Sequence, residues 1–330
     1  MIRKILLTLT LISFSLCSNN AGTAMFRWGE IETGTRALGM AGTQVASGNG
    51  ISSLPYNPAN IGFTNKSEVF VSKSAYLVNT SHNTIAYATK ISPSDYIGVH
   101  LYYFDSGEMD ETTELEGETG QKFKYLGLIL RTAYAKQLTD RLKLGVAVKL
   151  IRENTTSADL SSSALALDIG SNFNTGLFGG TVLGMSVTNF GPDSRYVGSG
   201  LDVPSDDENI PSDTQNTTEY FPIPLTFRVG IMNNIIGEGS DAILKNSSGH
   251  KLSVAADFIN PLDYDTLASI ATEYSWKDLV FVRAGQHFGH DTAGFAAGFG
   301  VSYRNIALDF AYADYDILEH TWQVGLGYKF

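Results

Sequence analysis

The stretch His320 to Phe330 reads HTWQVGLGYKF. Taken in alternation, Trp322, Val324, Leu326, Tyr328 and Phe330 share one face, and Gln323, Gly325, Gly327 and Lys329 share the other. A period of two over this length marks a β-strand with one apolar face and one small or polar face. A soluble sandwich strand shows the same alternation, so the decision rests on whether the pattern recurs and on what fills the second face. Apolar residues out, polar residues in and aromatics at the ends are what a barrel crossing a lipid bilayer requires.

The pattern recurs through the chain. It predicts strands at 67–77, 82–91, 95–104, 125–138, 141–152, 161–174, 180–190, 221–232, 251–259, 265–276, 280–288, 293–303, 305–312 and 321–330. That makes fourteen, an even number, as in a single-chain bacterial barrel. Leu142, Leu144, Val146, Val148 and Leu150 alternate with Lys143, Gly145, Ala147 and Lys149; Ile306, Leu308, Phe310 and Tyr312 alternate with Ala307, Asp309 and Ala311. The solvated face of a sandwich carries many long charged side chains. Here the second face is glycine, alanine and serine with sparse charges of both signs, which fits a crowded lumen. The fold expected is therefore an all-β, transmembrane antiparallel barrel of about fourteen strands.

Loop parity agrees. With both termini periplasmic, odd-numbered connections face outside and can be long. The longest connections are the third, 105–124, and the seventh, 191–220. Both are acidic, with Glu108, Asp110, Glu111, Glu114, Glu116 and Glu118 in one and Asp202, Asp206, Asp207, Glu208 and Asp213 in the other. The eighth, 233–250, is too long for an even connection, which points to a slip in strand assignment there.

The chain has 330 residues and a formal net charge of −11, which argues against nucleic acid or an anionic membrane surface as the partner. Its N-terminus reads as a signal peptide: Arg3 and Lys4, an apolar run from Ile5 to Leu16, then small residues ending Gly22-Thr23-Ala24. The single cysteine, Cys17, lies in that leader after Leu16, where a lipoprotein signal wants a small residue. The mature chain is then expected to have no disulfide and no thiolate metal site. No later run reaches the roughly 18 apolar residues of a transmembrane helix. Three regions follow: 1–24 as signal peptide, 25–65 as a segment without a period of two, and 66–330 as barrel. The middle region, rich in Gly, Ala, Ser and Thr, is either a flexible arm or a compact plug packed against the inside of the wall.

Glu273 and Arg283 face inward on neighbouring strands joined by Lys277-Asp278-Leu279, so they are expected to sit opposite each other as a cross-strand ion pair. Inward Arg131, Lys143, Lys149, Asp168, Arg228, Asp257 and Asp309 could join it in a network, and a network of both signs is what a plugged interior needs to leave no charge unpaired. His287-Phe-Gly-His290-Asp291 has metal-like residue types on a predicted outer loop but lacks a third firm ligand. The acidic loops lack the regular Asp-x-Asp-x-Asp-Gly spacing of a calcium loop. His100 is expected to pack inward beside Tyr102. No nucleophile elbow, paired-carboxylate cleft or phosphate loop occurs, so neither an enzyme nor a cofactor is expected.

The stretch from Thr33 to Gly62, containing GTRALGMAGTQVASGNGISSLPYNPANIG from Gly34, resembles the N-terminal signature of the PorV/PorQ family of outer-membrane proteins. These barrels fall within the larger group similar to the long-chain fatty-acid transporter FadL. Asn57-Pro58-Ala59 resembles the element that closes the signature, and Ala166-Leu167-Asp168-Ile169-Gly170, Thr272-Glu273-Tyr274 and Arg283-Ala284-Gly285 match in character. The resemblance implies a Gram-negative outer-membrane barrel with the N-terminal arm folded into the lumen, and a plug or hatch motif on Arg36, Gly39, Gly42, Asn57, Pro58 and Ala59. The family usually carries acidic residues where this chain has Gly48-Asn49-Gly50, so no plug contact by that carboxylate is implied.

The resemblance implies two roles. One is a non-enzymatic component of type IX secretion and surface assembly that engages exported proteins. The other is passive transport of hydrophobic small molecules, such as long-chain fatty acids, gated by the plug. A small, charged lumen favours the first, because an apolar ligand needs a mostly apolar pocket. Outer loops with few aromatic anchors favour the second.

Overall fold

In a computed structural model, residues 22–113, 117–156, 159–201, 217–238, 241–246 and 248–330 are described. The leader up to position 21, with Cys17, lies outside the described residues, as do Glu114, Glu116, Asp202, Asp206, Asp207, Glu208 and Asp213. The barrel strands are β1 Ser67–Ala75, β2 Ser81–Lys90, β3 Asp95–Asp105, β4 Tyr125–Gln137, β5 Leu142–Thr155, β6 Ser161–Asn174 and β7 Val182–Phe190. They continue as β8 Thr226–Gly237, β9 His250–Pro261, β10 Leu267–Trp276, β11 Val280–Phe288, β12 Phe295–Tyr303, β13 Ile306–Asp314 and β14 His320–Lys329. Each strand pairs antiparallel with its chain neighbours, and β14 pairs with β1 from Glu68↔Lys329 to Ala75↔Trp322, which closes the fourteen into a cylinder. Closure removes the unpaired edge, whose N–H and C=O groups would find no partner in hydrocarbon.

Sidedness follows the alternation. On β14, Trp322, Val324, Leu326 and Tyr328 are exposed while Gln323 is fully buried. On β13, Ile306, Leu308 and Phe310 are exposed while Ala311 and Ala313 are buried. Ser67 and Phe330 exchange backbone hydrogen bonds of 3.1 and 3.0 Å, so the barrel starts and ends at one rim. The connections between β3 and β4 and between β7 and β8 emerge at the other rim, which long connections identify as the outer one.

Three sequence expectations need correction. The third connection carries its own hairpin, Met109–Thr113 against Gly117–Phe123. β8 starts at Thr226 rather than near Phe221, because Pro222 and Pro224 have no N–H to give a ladder. The eighth connection is shorter than 233–250, because the slip in strand assignment that its length pointed to is there. β8 continues to Gly237, and Leu244–Lys245 folds back to pair in parallel with Ile236 and Gly237.

The wall is irregular between β6 and β7. Their register shifts between Leu167↔Phe190 and Ile169↔Val187, with Asn189 at φ +65°. The outer end of β6 is covered instead by the following loop, where Ser194 Oγ lies 2.9 Å from Ser162 Oγ and donates to Ser163 O at 3.0 Å.

Residues 25–64 lie within the barrel as short helical turns at Arg27–Glu30, Thr35–Leu38, Ile51–Ser53 and Pro58–Phe63. Met40, Ala41, Val45, Leu54, Ala59 and Ile61 are completely buried. The segment begins near the outer rim, with Met25 N donating to Pro222 O at 3.0 Å, and ends near the periplasmic rim.

Candidate functional site in the lumen

Glu273 and Arg283 are register partners on β10 and β11, and Arg283 Nε donates to Glu273 Oε2 at 2.6 Å. Arg36 completes the arrangement. Its Nε and Nη2 donate to the two oxygens of Glu273, each at 2.9 Å. Its Nη1 donates to Gln44 Oε1 at 2.8 Å and Ser47 O at 3.0 Å. Arg283 Nη1 reaches Asp309 Oδ1 at 2.5 Å. A guanidinium fork matched to a carboxylate holds direction as well as charge, so Arg36 ties the inner segment to the wall at a fixed angle.

Of the seven inward charges that could join this pair, Asp309 does, and the other six lie apart from it. Lys149 Nζ lies 2.9 Å and Arg131 Nε 3.9 Å from Asp168 in a second cluster. Asp257 Oδ2 accepts the backbone N–H groups of Gln44 and Val45, both at 2.8 Å. Arg228 lies over the Tyr56 ring and Lys143 over the Phe63 ring, with centroid distances of 5.6 and 4.0 Å.

Gly39 and Gly42 are needed for space. A Cβ on Gly39 would sit 2.9 Å from Gly298 Cα on β12, so backbone touches backbone there. Gly42 has φ +70°, and a Cβ there would meet Glu32 Oε1 at 2.4 Å. Asn57 caps the turn Pro58–Phe63, its Oδ1 accepting from Ala59 N at 3.0 Å, with Pro58 at the position where a missing N–H costs nothing. Its Nδ2 donates to Val45 O within the segment and Ser171 O on the wall, both at 2.9 Å. Pro58 and Ala59 lie so close to β5 that a Cβ on Gly145 would come within 2.4 Å of Ala59 N. The six residues thus do not converge on one point. Arg36 and Gly39 face β10 and β12 and Gly42 packs against Glu32 of the segment itself, whereas Asn57, Pro58 and Ala59 face β5 and β6.

At Gly48-Asn49-Gly50 the carboxylate comes from the wall. Glu68 on β1 accepts from Ile51 N in a short hydrogen bond and from Thr64 Oγ1 at 2.8 Å. Near the outer rim, Trp28 stacks on Tyr102 and Phe104 at 5.9 and 5.8 Å, and its Nε1 donates to Glu153 Oε2 at 2.7 Å. Met25, Phe26, Ile129 and Ile151 complete that apolar group. Burial, opposed by the Arg228 charge, raises the Glu32 carboxyl to about 8.

His287 is not on an outer loop. It lies on β11 with a buried ring 4.7 Å from the His290 ring, and its Nε2 is 3.4 Å from Glu32 Oε1. Among the described residues no His, Cys, Asp and Glu group is arranged to hold a metal ion. His100 and Tyr102 are both fully buried on the inner face of β3. Below the Arg36 group, a cavity of about 460 Å³ has Arg36, Glu68, Glu273, Arg283, Asp309 and Lys329 in its wall. The same wall carries Ile51, Phe63, Phe70, Val182, Met232 and Phe281, so charges of both signs stand among apolar side chains.

Comparison with known proteins agrees with this geometry. Residues 18–215 match the family described as type IX secretion system protein PorV. The fold is similar to the Pseudomonas putida toluene transporter TodX, at 11% identity and TM-score 0.59, covering 91% of this chain and 99% of that one. It is likewise similar to the CymD monoaromatic hydrocarbon channel, at 12% identity and TM-score 0.60, covering 91% and 98%. A Pseudomonas aeruginosa FadL homologue matches at 14% identity and TM-score 0.54, covering 90% and 98%. No curated protein matches the sequence. These likenesses show a fold similar to that of the FadL homologue and, with the family match, point to the bacterial outer membrane.

Proposed function

The chain belongs to the type IX secretion system protein PorV family, and on that premise we propose that it is a non-enzymatic secretion and surface-assembly component that engages exported proteins at the outer membrane. The observation that carries this reading is the filled lumen. Residues 25–64 act as a plug, held by the Arg36–Glu273 fork, the Asp257 carboxylate and the Asn57 bridge. A barrel stopped by its own chain is better suited to presenting a surface than to passing a solute. Affinity purification from a detergent extract tests it. Exported proteins are expected to co-purify, and their absence alongside bound hydrophobic small molecules would overturn the proposal.

A second reading, passive uptake of hydrophobic molecules, draws on the apolar group around Trp28 near the outer rim and on the channel fold. Growth of a deletion strain on long-chain fatty acids separates the two. Unimpaired growth with loss of surface-exported proteins favours secretion.

A further inference from the structure

We propose that the outer flank of β5 and β6 is a docking groove for a lipid of the outer leaflet, whose phosphate-bearing headgroup is taken by Arg152 and Arg195. This rests on the outer-membrane placement and not on the secretion role.

Height in the membrane comes first. Register runs Tyr103↔Leu128↔Arg152↔Ser163 across β3 to β6. Tyr103, Leu128, Arg152 and Ser163 are all exposed. Below this line the same face is apolar, with Val148, Leu150, Leu165, Leu167 and Ile169 exposed. Arg152 therefore stands where the hydrocarbon-facing band ends and an aromatic marks the interface.

The wall irregularity supplies the second arginine. Because β7 ends at Phe190, the loop after it folds over the outer end of β6 and fixes Ser194 against Ser162 and Ser163. The next residue, Arg195, is held with its guanidinium carbon 4.9 Å from the centroid of the Tyr220 ring, and its Nη1 donates to Thr217 Oγ1 at 3.3 Å. A groove of about 550 Å³ results, with Leu150, Arg152, Ser163, Asp193, Arg195 and Tyr220 in its walls.

Charge complementarity selects the occupant. Among the described residues the Arg152 side chain has no hydrogen-bond or ion-pair partner, and Asp193 forms no salt bridge with either arginine. A net charge of −11 repels an anionic surface at long range, but screening confines that repulsion to about 8 Å. Two guanidinium groups above an apolar stripe match a phosphate above acyl chains, and the planar fork suits phosphate oxygens.

Native mass spectrometry of the detergent-purified chain tests this with three probes: a phosphorylated glycolipid of the outer leaflet, the same lipid dephosphorylated, and inorganic phosphate. Retention of the phosphorylated lipid at least tenfold above the dephosphorylated form is expected. Arg152→Gln and Arg195→Gln should each lower occupancy severalfold, while Arg304→Gln at the opposite rim leaves it unchanged. Heat-modifiable gel migration identifies folded variants, and Arg152→Lys, keeping the charge without the fork, should be intermediate. Equal retention of both lipids, or retention unaffected by either Gln variant, would overturn the proposal. So would binding of inorganic phosphate without the lipid.

Discussion

Replacing Arg36 by alanine strikes the contact that fixes the inner segment to the wall. The side chain makes four hydrogen bonds: two to Glu273, one to Gln44 and one to the Ser47 carbonyl. Arg36 and Glu273 side chains are 18% and 15% exposed, so this is a mostly desolvated pair and not a surface ion pair. Removing one partner of such a pair costs about 3–5 kcal/mol. Glu273 keeps Arg283 at 2.6 Å, which places the loss at the lower end, about 3 kcal/mol. That is on the order of a hundredfold shift from docked to undocked segment. Hydrogen exchange in detergent reads it directly: amides between 35 and 63 should lose protection, while β1 to β14 stay protected. Glu273→Gln combined with Arg36→Ala should lose much less than the sum, because the two residues share one interaction. Unchanged protection at 35–63 in the single variant, or additive losses in the double, would refute the reasoning.

Other perturbations separate the remaining contacts. Gly298→Val, whose Cβ would meet Gly39 Cα at 3.1 Å, should raise proteolysis of the segment by tenfold or more without unfolding the barrel, as limited digestion would report. Asp257→Ala strands the N–H groups of Gln44 and Val45 and should weaken docking by about 1–3 kcal/mol in the same exchange measurement. Glu32 gives a pH dependence. Its carboxyl is raised to about 8 from an ordinary 4.5, so the docked state binds a proton that the undocked state releases. Docking is thus favoured fully below pH 4.5 and weakens as pH rises towards 8, by up to about 1.4 kcal/mol per unit. Glu32→Gln should flatten the exchange-versus-pH curve over that window.

Local alternation made the barrel legible, because a period of two is written residue by residue and survives small errors at strand ends. The Glu273–Arg283 pairing was readable for the same reason, since parity and a three-residue turn fix register. Arg36 joins the pair from 237 positions away, a distance no periodicity spans. Asp257 offered a subtler signal. Its cross-strand neighbours are Gly230 and Ser269, neither of them a base, so an inward carboxylate there had to find donors off the wall. Small inward residues such as Gly145 and Gly298 told of a crowded lumen without telling which backbone would press against them. Trp28 and Glu153 meet only because the segment enters at the outer rim, which nothing in their own neighbourhoods encodes.

The central claim is that the barrel is stopped by its own N-terminal segment. Planar-bilayer recording of the mature chain beside a variant lacking 25–63 tests it most directly. The intact chain should give no steady conductance, and the shortened one stable channels. A persistent open conductance from the intact, folded chain would contradict it.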